Sequence, residues 1–70
     1  MRNSAIHSQA SDKAFAKITI LNFEIDSLKQ DILKRVYGGL TEEQMLDLLD
    51  GTIKERKVWN YIAELIEINN

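Results

Sequence analysis

Cysteine is absent from this chain, and histidine occurs once. Without cysteine there is no disulfide, no thiolate metal site and no cysteine nucleophile. A single histidine excludes the common zinc sites that combine several. No apolar run approaches the roughly 20 residues that a membrane span needs, so no membrane role is expected. The first eleven residues are polar and lack the apolar centre of a signal peptide. The missing cysteines fit a reducing compartment, and the expected location is the cytoplasm. A surplus of positive charge is lacking too. The 9 basic residues face 11 acidic ones, for a net charge of −2. That leaves no general attraction to nucleic acid or to an anionic membrane. No cofactor is implied.

What remains is small and helical in pattern. The 70 residues make one domain at most. A core of this size is marginal, and short chains usually add a disulfide, a metal or an oligomer partner. The first two are closed here, so a homodimer is the expectation. Charge is split along the chain. Residues 1–37 carry six basic and four acidic groups, and residues 38–70 carry three and seven. The two halves can attract each other, within one chain or between chains.

Residues 1–11 have no periodicity and are expected to form a tail. Ser11 or Asp12 is placed to cap the helix that follows. From 13 to 37, Ala14, Ile18, Leu21, Ile25, Leu28, Ile32 and Val36 recur in steps of three and four. At 100° per residue they fall within a quarter turn, which predicts one long amphipathic helix with a coiled-coil-like seam. Gly38-Gly39 is the expected stop, with Lys34 and Arg35 in a last turn that favours positive charge.

Thr41-Glu42-Glu43-Gln44 forms a capping box, which predicts a second helix over 42–50 with Met45, Leu46, Leu48 and Leu49 on its apolar face. Asp50-Gly51 looks like its end, and Thr52-Ile53-Lys54-Glu55 like another capping box. A third helix over 53–68 then carries Val58, Trp59, Ile62, Leu65 and Ile66. The alternative is a single helix from Glu42 to Ile68 that tolerates Gly51 at a cost of about 1 kcal/mol. The fold class is all-α, either a helical hairpin or a three-helix protein.

Groups that suggest chemistry have simpler explanations. His7 has Ser4, Ser8 and Ser11 nearby, but a triad needs a rigid third member, and an exposed, inert histidine is the default. Glu43, Asp47 and Asp50 share a helix face but lack the alternating oxygens and central glycine of a calcium loop. Gly38-Gly39 lacks the lysine and hydroxyl that a phosphate loop places after its second glycine. Lys54, Arg56 and Lys57 form a small basic patch that Glu55 interrupts. Catalytic, cofactor and metal residues are therefore all expected to be none. The expected interface is the seam Ile18, Leu21, Ile25, Leu28, Ile32 and Val36. Phe23, Tyr37 and Tyr61 lie off the apolar faces and are further contact candidates, since exposed aromatics often anchor interfaces.

One segment pulls the other way. Lys17-Ile18-Thr19-Ile20-Leu21-Asn22-Phe23 is rich in β-branched and aromatic residues. As a strand it would need a partner strand from another copy. The order strand, helix, glycine turn and Thr-capped helix is similar to ribbon–helix–helix repressors, with Lys17, Thr19 and Asn22 facing bases. Against this stand Glu42 and Glu43 where phosphate would approach, and the negative net charge. Binding to another protein is the favoured expectation.

Ile6-His7 and Ser11-Asp12-Lys13-Ala14, then a helix, a glycine turn before Leu40-Thr41 and a closing apolar helix, resemble the small enterobacterial YmgB/AriR regulators. The apolar rhythm is also similar to that of the anti-adaptor IraP. The resemblance implies a small helical protein that regulates stress or biofilm responses by contacting regulatory proteins. The literal matches cover only the N-terminal residues quoted, and no functional residue transfers from them.

Overall fold

A computed structural model describes the backbone of residues 4–68 and the side chains of residues 9–68. Two helices make the fold: α1, Ser4–Leu33, and α2, Glu42–Ile68. They pack antiparallel as a hairpin with Cα extents of 51 × 15 × 14 Å. The all-α expectation therefore resolves to the hairpin.

α1 runs through the segment with strand chemistry, and among the described residues there is no strand. Residues 17–23 are helical because α2 offers their inward side a packing surface, while no partner strand exists among the described residues. Burial overrides β propensity in this way because that propensity is itself mostly a packing preference. Thr19 adapts to the helix: its hydroxyl donates to the Phe15 carbonyl at 2.9 Å. The ribbon–helix–helix alternative loses its strand and with it its basis.

α1 also begins earlier than expected. Residues 4–11 belong to it, and residues 1–3 of the expected tail lie outside the described residues. Ser11 and Asp12 are thus interior positions and cap nothing, and Ser11 is half-buried. The physical reason is length matching. α2 has 27 residues, and the α1 that packs antiparallel to it has 30.

The end of α1 differs as well. The helix stops at Leu33, so Val36 and Tyr37 lie in the loop. The Arg35 N–H donates to the Ile32 carbonyl at 3.1 Å and the Val36 N–H to the Asp31 carbonyl at 2.8 Å. This pair of bonds is a Schellman motif. Arg35 holds its left-handed position at φ 58°, where a Cβ is unfavourable. Arg35→Gly should therefore stabilise the fold by roughly 1 kcal/mol, read as a rise in the denaturant midpoint.

Gly38 and Gly39 shape the loop rather than the helix end. Both have positive φ, 58° and 88°, and the Leu40 N–H donates to the Tyr37 carbonyl at 3.0 Å. A turn with positive φ at both central residues favours glycine at each. The Thr41 capping box forms as expected. The Thr41 N–H donates to Gln44 Oε1 at 2.9 Å and the Gln44 N–H to Thr41 Oγ1 at 3.1 Å. Glu42 and Glu43 sit in the first turn of α2, where the helix dipole favours them. Thr41→Ala should cost about 1 kcal/mol, measured by chemical denaturation.

The three-helix alternative fails at Gly51, because α2 is continuous through it. Thr52 is no cap: its hydroxyl donates back to the Leu48 carbonyl at 2.8 Å. Asp50 pairs with Lys54 at 3.0 Å across one helical turn. An interior glycine costs about 1 kcal/mol relative to alanine. The packing surface of α1 passes this point without a break, and one continuous helix against it outweighs that cost.

Candidate interaction surface

The inward face of α1 is the stripe read from the sequence. Ala14, Leu21 and Ile25 are buried, and Ile18, Leu28 and Ile32 are half-buried. Val36 departs from it, because α1 has already ended there, and is mostly exposed. The stripe is covered by α2 of the same chain.

The inward face of α2 is Met45, Leu49, Thr52, Arg56, Trp59, Ala63 and Ile66, in steps of 4, 3, 4, 3, 4 and 3. Met45 is buried and the other six are half-buried. Thr52, Arg56 and Ala63 were not legible as seam residues, because two are polar and one is small. Arg56 Nη1 donates to Asn22 Oδ1 at 2.9 Å across the helix pair, so its head group has a partner while its stem packs. Leu46, Leu48, Val58 and Leu65, expected on apolar faces, are instead exposed. The cause is geometric: α2 is apolar over more of its circumference than one partner helix can cover.

The hairpin consequently has two apolar-bearing flanks, each marked by a contact between the helices. Lys17 Nζ lies 3.6 Å from Glu55 Oε2 on one flank. Both groups are about half exposed, so the pair contributes well under 1 kcal/mol. The Asn22–Arg56 bond marks the other. The expected attraction between the two charged halves thus amounts, among the described residues, to one ion pair between helices.

On the Lys17–Glu55 flank, α1 shows Lys13, Ile20, Glu24, Ser27 and Asp31, and α2 shows Gln44, Leu48, Gly51, Val58, Ile62 and Leu65. A shallow groove runs there, lined by Phe23, Glu24, Ser27, Leu28, Leu48 and Thr52. A second hollow continues it toward the loop, lined by Leu40, Gln44, Asp47 and Leu48. The Asn22–Arg56 flank carries Phe15, Leu33, Leu46 and Ile53 among many more carboxylates. Two of the three aromatic contact candidates are outward: Phe23 is 77 % exposed and Tyr61 61 %. Tyr37 is half-buried in the loop. These three residues do not form one patch, because Tyr61 is on the outer face of α2 and Phe23 on that of α1.

His7 lies in α1, and its side chain is outside the described residues. Among the described residues, no three carboxylate or imidazole groups converge to hold a metal. Among them, too, no helix is long and apolar enough to cross a membrane. No family model matches the chain, and no curated protein or solved structure matches it either.

Proposed function

We propose that this chain is a small non-enzymatic helical interaction protein, a homodimer that also binds a second, regulatory protein. The observation that carries the proposal is the imbalance of apolar surface. Only Ala14, Leu21, Ile25 and Met45 are buried among the described residues, while twelve large apolar side chains stay well exposed. Scattered exposed apolar residues are ordinary, but a surplus in which Ile20, Leu48, Val58 and Leu65 share one flank marks a contact surface. The proposed setting is the cytoplasm. A role in stress or biofilm regulation follows from the resemblance to the YmgB/AriR regulators alone.

Size-exclusion chromatography with light scattering tests the first half. A mass of twice the chain mass at micromolar concentration is the expected result, and a clean monomer would overturn it. Retention on duplex DNA that falls with salt would overturn the protein-binding half, since salt sensitivity is the mark of phosphate contacts.

A further inference from the structure

We propose that the Lys17–Glu55 flank is where a second copy of this chain docks, and that Gly51 marks where the partner's helix comes closest. The inference rests on the proposed self-association and says which surface performs it.

Area comes first. The chain exposes 5558 Å². A compact monomer of 8.1 kDa would expose roughly 4,500 Å². The excess, roughly 1,000 Å², exceeds the roughly 800 Å² that each partner contributes to a standard stable interface. A second hairpin laid along one flank removes that excess and completes a four-helix bundle.

Pattern then chooses the flank, and its charge permits self-pairing. On α2, Gln44, Leu48, Gly51, Glu55, Val58, Ile62 and Leu65 step by 4, 3, 4, 3, 4 and 3. This is a second seam beside the first, and α1 covers only its inner edge. Val58 at 56 % exposure and Leu48 at 49 % show what is left open. The flank carries Lys13 and Lys17 against Glu24, Asp31, Asp47 and Glu55. Charges of both signs let such a surface face its own copy, as a two-fold interface requires. The opposite flank carries Lys29, Lys57 and the Arg56 head group against Asp12, Asp26, Glu43, Asp50, Glu64 and Glu67, with Asp50 paired to Lys54.

Gly51 supplies the independent mark. Nothing within the hairpin requires a glycine at this position: its φ is not positive, and a Cβ would meet no atom within 4 Å. Yet it sits mid-helix, on this second seam, between Leu48 and Val58. A missing side chain there lets a facing backbone approach.

The test is sedimentation equilibrium at micromolar concentration on four chains, with helix content followed by circular dichroism. The wild type should be dimeric. Val58→Glu and Gly51→Gln should each weaken the dimer at least tenfold while keeping the helix content. Gly51→Gln should at the same time raise the melting temperature of the dilute monomer, so helix stability and dimer affinity move in opposite directions. Leu46→Glu, on the opposite flank, should leave the dimer unchanged. A dimer that neither Val58→Glu nor Gly51→Gln weakens overturns the assigned surface and leaves self-association standing. A monomeric wild type overturns self-association and the surface with it.

Discussion

Ile25→Asp should unfold the chain, with loss of the helical circular-dichroism signal at 25 °C. Ile25 is 1 % exposed, and Leu21, one turn away on the same face, is 2 % exposed. They are the two largest fully buried side chains among the described residues. Truncating a buried aliphatic residue costs about 2–5 kcal/mol. A carboxylate in its place adds the cost of an unpaired buried charge, and no cationic group is buried beside it to offset that. A single core of this size supplies about 3–5 kcal/mol in total. The substitution therefore removes the whole margin. Asp26, the next residue, is exposed, so Asp26→Ile is the matched control and should keep the helix signal. A folded Ile25→Asp chain would show that the seam between α1 and α2 does not hold the hairpin together.

Gly51→Pro should be nearly as damaging. In a continuous α2, proline at 51 removes a backbone hydrogen bond and drives its ring against the carbonyl of Asp47, at a cost of about 3 kcal/mol or more. That is most of the stability available, and the loss should show as a collapse of the cooperative thermal transition. Had the chain broken at Asp50-Gly51, with Thr52 capping a third helix, the same proline would stand just before a helix start and be tolerated. A Gly51→Pro chain with an unchanged melting temperature would thus return the three-helix architecture. The substitution discriminates because the two architectures differ in one backbone geometry at one residue.

Several features were legible in the residues because their causes are local. The Thr41–Gln44 capping box forms as read, since both hydrogen bonds close within four residues. The α1 stripe faces inward as read, since periodicity alone places Ala14, Leu21 and Ile25 on one side. Gly38 and Gly39 mark the turn, although Arg35 takes the left-handed position at the helix end. That residue has no sequence signal for such a conformation, and the Schellman bonds to Asp31 and Ile32 hold it there.

Other features carried local signals that pointed the wrong way. Ser11, Asp12 and Thr52 are good caps by chemistry, and each stands inside a helix. Residues 17–23 have strand chemistry and are helical. Thr52 and Arg56 look like surface residues and line the seam. In each case the deciding partner lies far away in sequence: α2 opposite the start of α1, α1 opposite Gly51, and Asn22 opposite Arg56.

By itself, the sequence determined that Ala14 to Ile32 present one apolar stripe at helical spacing, that a capped helix starts after Thr41, and that a turn falls at Gly38-Gly39. Periodicity, capping and glycine conformation act over a few residues, so they can be read without a fold. Only the tertiary structure decided that there are two helices rather than three, where α1 begins and ends, and which apolar residues of α2 stay outside. Those outcomes depend on how much surface one helix can cover on another. That balance covers the inward stripe of α1 and leaves open apolar side chains on both helices, with Ile20, Leu48, Val58 and Leu65 sharing one flank.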